Sequence, residues 1–212
     1  MASVDGAVLQ DWVSRFRDEV TEQKDWLTEL DSAIGDADHG ANMARGMNAV
    51  AERLAGGTPE TVDELLKTVG MTLVSSVGGA SGPLYGTFFL RAGMTAGAVT
   101  ELDGPAFAAA LRAGLDGVIA RGKAEVGDKT MLDAMVPAVD AFDAALAAGG
   151  SPAEAARAAE EAASAGRDAT EPLVARKGRA SYLGDRSAGH LDPGAASTAI
   201  LFETLADALS GR

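Results

Sequence analysis

The sequence predicts an all-α protein of about eight amphipathic helices packed antiparallel as a bundle or closed helical barrel. Three observations carry this. Ala, Leu, Glu and Arg dominate most segments, which favours helix. Apolar residues recur at helical spacing along the chain. The alternation of β-branched residues that would mark strands is nearly absent. The first apolar stripe is Leu9, Trp12, Val13, Phe16 and Val20, and the second is Leu65, Leu66, Val69 and Leu73. Phe107, Leu111, Leu115 and Ile119 follow, then Leu132, Met135, Val139, Phe142 and Leu146, and finally Leu201, Leu205 and Leu209. Each stripe is expected in the core. Thr58-Pro59-Glu60 and Ser151-Pro152-Ala153-Glu154 place a capping residue ahead of a proline at the first helical position, so helices are expected to begin there. Short connections make neighbouring helices antiparallel.

The chain of 212 residues suits one domain, with no linker and no clean internal repeat. A domain of this size buries roughly 70% of its unfolded surface, so it needs no disulfide staples. It has no cysteine, which excludes a disulfide framework, a thiolate metal site and a cysteine nucleophile and fits a cytoplasmic protein. No signal peptide is legible at the N-terminus, and no apolar run approaches the length that crosses a bilayer. The formal net charge of −13 sets the surface against nucleic acid and anionic lipid.

Four glycine-rich polar connections stand out, at 34–42, 77–86, 122–130 and 178–194. The first contains Asp31, Asp36 and Asp38. Asp31 is expected to end a helix, Gly35 to permit a sharp turn, and Asp36 and Asp38 to project from one side of it. Short carboxylates that converge repel one another unless a cation lies among them. Oxygen-only ligands favour a hard cation, with Mg²⁺ and phosphate the usual pairing. An EF-hand counted from Asp36 fails, because its fifth, sixth and twelfth positions hold Gly40, Ala41 and Met47. Zinc is disfavoured because the chain has two histidines, His39 and His190. Taken alone, a helix cap and turn built from aspartate explains the same residues.

Gly78-Gly79-Ala80-Ser81-Gly82-Pro83 lies between two apolar helices. Its free amides and the positive end of the next helix could meet an anion, with Ser81 adding a hydroxyl. A plain helix–helix turn has the same composition. Gly117 to Lys123 has the spacing of a Walker A motif but is rejected. Ala124 stands where Ser or Thr would reach magnesium, and Ile119 belongs to a helical stripe. In 127–133, Asp128 or Thr130 caps the following helix, or the loop touches a base or ribose. Lys177, Arg179 and Arg186 bring positive charge into an acidic protein, as phosphoryl transfer needs and as a surface ion-pair cluster also provides. Gly189 to Gly194 then turns into the last helix.

Taken together, these segments resemble the nucleotide-binding L subunit, or L domain, of the dihydroxyacetone kinase family. The resemblance rests on Gly35-Asp36-Ala37-Asp38-His39-Gly40, on 78–86, on Gly127-Asp128-Lys129-Thr130-Met131, on 178–184 and on Gly189-His190-Leu191-Asp192-Pro193-Gly194-Ala195, in the family's order along the whole chain. It implies one L-type domain over residues 1–212, an eight-helix antiparallel barrel with ADP or ATP capping one end, and two Mg²⁺ ions on Asp31, Asp36 and Asp38. It implies that His39, Gly40, Ala41 and Asn42, with Gly79, Ala80 and Ser81, lie along the phosphates. It sets Gly122, Thr130, Met131, Asp192, Pro193 and Gly194 around ribose and adenine, and Arg179 facing the transferred group as the catalytic residue. Two departures stand out: Ala37 replaces the usual Gly, costing roughly 1 kcal/mol if that position needs positive φ, and Asp185 replaces the usual Glu.

The resemblance also implies partners. In this family a separate subunit or domain holds dihydroxyacetone as a histidine hemiaminal, and no region for that is legible here. The donor is either exchangeable ATP or a phosphocarrier subunit of the phosphotransferase system that rephosphorylates bound ADP; a freestanding L subunit favours the second. A homodimer is compatible with either. Two further readings stay open: an ATP-dependent kinase subunit for another small ketose or, by analogy, a fatty acid, and a nucleotide-sensing module without turnover.

Overall fold

A computed structural model describes residues 3–57 and 59–211. Nine α-helices are present among them: α1 Gly6–Glu22, α2 Lys24–Ile34, α3 His39–Ala55, α4 Val62–Ser76, α5 Ser81–Ala96, α6 Gly104–Gly122, α7 Leu132–Ala147, α8 Pro152–Ala169 and α9 Pro193–Ser210. A 3-10 helix, Arg179–Ser187, lies between α8 and α9, and two short strands, β1 Val4–Asp5 and β2 Glu101–Leu102, pair antiparallel with Val4 opposite Leu102. This ribbon ties the start of α1 to the entry of α6.

The helices close into a ring. α1 packs on α3, α3 on α4, each of α4 to α8 on its successor, and α9 returns to α1. α2 follows α1 after a break at Gln23 and packs on α3 and α9. With α1 and α2 taken as one bent rod, the ring has the eight members expected. Its interior is apolar and partly aromatic. Trp12 lies tilted against Phe89 and edge-on to Phe107, Phe107 meets Phe142, and the Trp12 indole N–H donates to the Leu201 carbonyl at 2.8 Å. That bond satisfies a polar group that would otherwise be stranded in the core. α4 and α5 approach most tightly where two glycines face each other. A Cβ on Gly70 would lie 2.7 Å from the Gly86 carbonyl, and one on Gly86 2.8 Å from the Gly70 carbonyl.

The expected stripes are buried, with instructive exceptions. Ile119 is 39% exposed, whereas Val118 is buried. Steps of four residues overshoot the 3.6-residue turn, so by Ile119 the stripe begun at Phe107 has drifted by about 120° and the core face has passed to Val118. Leu146 and Leu209 are half-buried at the ends of their helices. The Ser151 start is realised as a full capping box with Glu154. The Thr58 start is not where α4 begins. Thr58 lies outside the described residues, and the helix opens at Val62 with Thr61 before it. There the Thr61 hydroxyl donates to the Asp63 carboxylate, and the Val62 amide donates to the Val99 carbonyl at 2.8 Å. A bond across the connection thus fixes the start that local sequence would place earlier. No helix among the described residues is long and apolar enough to cross a membrane.

Candidate functional site

The first turns of α3, α5, α7 and α9 open on one cavity of about 520 Å³, and the ends of α2 and α6 complete its wall. Helix N-termini carry the positive ends of their dipoles; Asp31, Thr130 and Asp192 already accept amides at the starts of α3, α7 and α9, whereas α5 has no side-chain cap. Four of them around one space make a setting for an anion of high charge.

On one side of the cavity stands the aspartate cluster. Asp31 is buried in the last turn of α2, where its carboxylate accepts the amides of Asp38 at 2.8 Å and His39 at 3.1 Å. Gly35 is required beside it, since a Cβ there would collide with the Asp31 carboxylate. Oxygens of Asp31, Asp36 and Asp38 lie within 4.8 Å of one another. The guanidinium of Arg179, in the 3-10 helix, reaches Asp36 at 3.0 Å. Three carboxylates against one exposed guanidinium leave the cluster short of positive charge, so the donor set fits hard divalent cations.

Ala37 adopts φ 60°, the left-handed region that glycine enters freely. Ala37→Gly is therefore expected to stabilise the metal-free protein by about 1 kcal/mol, read as a higher urea midpoint with unchanged slope. An unchanged midpoint would show that this turn carries no strain.

His39 links the cluster to the glycine loop. Its Nε2 lies 2.9 Å from the Ser197 hydroxyl and its Nδ1 3.1 Å from the Ser81 hydroxyl. The Tyr85 hydroxyl lies 2.7 Å from Ser197 and 3.0 Å from Thr198. Burial lowers the His39 pKa to about 4 against the opposing pull of Asp31 and Asp38, so the ring is neutral at physiological pH. Burial likewise raises Tyr85 to about 12. These groups brace the glycine loop from behind with uncharged hydrogen bonds.

The other side is formed by Gly122, Thr130, Met131 and the turn Asp192, Pro193 and Gly194. Asp192 caps α9, accepting from the Ala195 amide at 2.7 Å. Burial pushes its carboxyl pKa up to about 7, and Asp133 adds to the rise, while the Ala195 amide and Lys129 oppose it. The folded-state value stands above the unfolded value of 3.8. Stability from this group is therefore fully present below pH 3.8 and lost as pH rises through about 7. In nucleotide-free protein, Asp192→Asn should gain stability relative to the parent at pH 8 more than at pH 5. The gain should narrow by a few kcal/mol between them, at about 1.4 kcal/mol per tenfold change in ionisation. Parallel denaturation midpoints across that range would contradict it.

Of the site residues expected from sequence, Asp31, Asp36, Asp38, His39, Asn42, Gly79, Ala80, Ser81, Gly122, Thr130, Met131, Arg179, Asp192, Pro193 and Gly194 line the cavity. Gly40 and Ala41 are not brought there. Gly40 faces α2, where a Cβ would strike the Lys24 carbonyl, and Ala41 is exposed on the outside of α3. The Walker-like stretch from Gly117 runs through α6. Asp128 is not a helix cap. It accepts the Glu125 amide at 3.0 Å, while Asp133 accepts the amides of Gly127 and Thr130. The Thr130 hydroxyl does accept the Leu132 amide, at 3.2 Å. Sequence reasoning gave no site role to Lys129, Arg121 and Tyr85, all on the cavity wall, where Lys177 of the basic loop also lies. Tyr85 sits one helical turn beyond Ser81, a spacing that could have flagged it. A lysine in a polar loop carries no such signal.

Comparison with known proteins bears on this site. The DAK2 domain matches residues 33–207. The chain is 46% identical over 198 residues to the ADP-binding subunit DhaL of the PEP-dependent dihydroxyacetone kinase of Escherichia coli, covering 93% of this chain and 94% of that one. It is 43% identical over 210 residues to the ADP-binding subunit DhaL of the PTS-dependent dihydroxyacetone kinase of Lactococcus lactis, covering 99% of this chain and 100% of that one. Among solved structures, the dihydroxyacetone kinase from C. freundii in complex with AMP-PNP and Mg²⁺ superimposes with a TM-score of 0.73 at 28% identity, over 98% of this chain and 35% of that longer one. The all-helical fold, the aspartate-bearing cavity and these relatives lead to one conclusion: the chain belongs to the DAK2 domain family, that of the nucleotide-binding L subunits of dihydroxyacetone kinases.

Proposed function

We propose that this chain is the phosphoryl-transfer subunit of a dihydroxyacetone kinase, and that its cavity holds ADP or ATP together with two Mg²⁺ ions on Asp31, Asp36 and Asp38. The observation that carries the proposal is the convergence of four helix N-termini and three carboxylates on one cavity. The amides suit phosphate oxygens and the carboxylates suit the counter-ions that a polyphosphate brings. One divalent ion cannot balance three carboxylates and a diphosphate, which favours two; when bound, they would neutralise charge on the transferred group.

The chain's own residues supply position. The uncapped amides at the start of α5 and the Ser81 hydroxyl hold phosphate oxygens, with His39 and Asn42 beside them. Thr130, Met131 and the Asp192 turn enclose the nucleoside. Arg179, paired with Asp36 on the cavity wall, is set to meet charge that develops on the phosphoryl group. The acceptor dihydroxyacetone is supplied by a partner subunit. A phosphocarrier subunit of the phosphotransferase system restores the phosphoryl group on the retained nucleotide, as the names of the full-length relatives, PEP-dependent and PTS-dependent, suggest.

A second reading, an ATP-dependent kinase subunit for another small ketose, is favoured by one likeness. A D-erythrulose kinase of Mycolicibacterium smegmatis is 36% identical over 186 residues, and the match spans 32% of its length. A coupled assay of purified components with radiolabelled donor tests both. The chain alone should phosphorylate neither ketose; with the ketose-binding and phosphocarrier subunits, label should pass to dihydroxyacetone through many turnovers. Robust product from the chain alone would refute the subunit reading, and transfer confined to erythrulose with ATP would establish the second.

A further inference from the structure

Lys129 is 1% exposed and adopts φ 64°, so its backbone holds the left-handed conformation. Its ammonium donates to the carbonyls of Thr170 at 2.9 Å, Leu173 at 3.0 Å, Glu171 at 3.3 Å and His190 at 2.5 Å. An ammonium has three protons, so four carbonyls of two distant segments share them. Burial lowers its pKa, against the opposing pull of Asp192, Glu171 and Asp133. An unpartnered amine would not be retained there, and a lysine whose sole task was solubility would not be buried.

The segments it joins are the ones that build the nucleoside side of the cavity. Thr130 and Met131 follow Lys129 directly and line the wall, and Asp192 to Gly194 follow His190. The Thr170 hydroxyl accepts the Asp192 amide at 3.0 Å, the Arg176 amide donates to the Asp128 carbonyl at 3.0 Å, and the Gly189 amide donates to Glu171 at 2.8 Å. A Cβ on Gly194 would lie 3.4 Å from the Met131 amide, so the two halves of the wall are in near contact. The aspartate cluster and the glycine loop are held by a separate set of bonds, from Asp31, His39 and Ser197. The two sides meet at Ser197, whose hydroxyl also donates to the Gly194 carbonyl at 3.1 Å, but none of the bonds from Asp31, His39 or Ser197 involves Lys129.

We propose that Lys129 is a positioning residue that sets the spacing between Thr130–Met131 and the Asp192 turn, and so governs recognition of the nucleoside while leaving the phosphate and metal side untouched. This rests on the nucleotide reading of the cavity. The test is calorimetric titration of the full chain with Mg-ADP and with Mg-pyrophosphate, for the parent, Lys129→Met and Thr170→Val. Thr170→Val is isosteric, removes the bond from the Asp192 amide together with the hydroxyl's local bond to the Arg167 carbonyl, leaves the lysine in place, and serves if the lysine variant fails to fold. In Lys129→Met the affinity for Mg-ADP should fall by about tenfold or more, with Mg-pyrophosphate within about twofold of the parent, because a wall that is no longer preorganised must be ordered by the nucleoside. Thr170→Val should move in the same direction by less. Equal losses for both ligands would overturn the proposal in favour of general structural damage, and so would an unchanged ADP affinity in both variants. Failure of the nucleotide reading looks different, since the parent itself would then take up pyrophosphate no less tightly than ADP, or neither.

Discussion

Replacing Asp36 or Asp38 by Asn is expected to reduce Mg-ADP affinity by roughly two orders of magnitude or more, because each change removes one of three charges that a hard cation requires. The fold should survive. Asp36 is exposed and Asp38 half-buried, and neither accepts a bond that holds the ring of helices together. Removing one of three crowded anions should leave the metal-free protein as stable as the parent or slightly more so. Asp31 is a poorer probe, because its carboxylate also holds the amides of Asp38 and His39, and its loss would loosen the turn itself. Titration calorimetry beside circular dichroism separates the two effects; full affinity in both variants would remove the cluster from the site.

Arg179→Ala is expected to act on turnover rather than on binding. Its guanidinium pairs with Asp36 at 3.0 Å and is otherwise largely exposed, so it contributes little to the fold. A preorganised charge wanted in the transition state typically accounts for about 10²–10³ in rate. Turnover in the reconstituted system should fall by that order, whereas Mg-ADP affinity should change by no more than about threefold. Equal turnover for parent and variant would exclude Arg179 from the mechanism; a loss confined to affinity would make it a binding residue.

The parts of this molecule that are local were legible in the sequence. The apolar stripes, the Ser151 capping box and the aspartate cluster are each local, and apart from Ile119 they are found where periodicity or turn chemistry put them. Ala37 was readable as a departure whose cost depended on φ, and φ is positive. Ile119 was missed for a local reason, the drift of four-residue steps along α6; elsewhere a distant partner intervened. The start of α4 is set by the Val99 carbonyl. The four N-termini around the cavity follow from ring closure, which no local pattern encodes. Lys129 joins carbonyls 41 to 61 residues away, so nothing near it in the sequence reveals that it is buried.

Native mass spectrometry of the chain with magnesium and ADP tests the central claim most directly. The expected spectrum shows one ADP and two Mg²⁺ per chain, with that increment lost in the Asp36→Asn, Asp38→Asn double variant. A chain that stays at its unliganded mass in saturating Mg-ADP, or a variant that keeps the full increment, would contradict it.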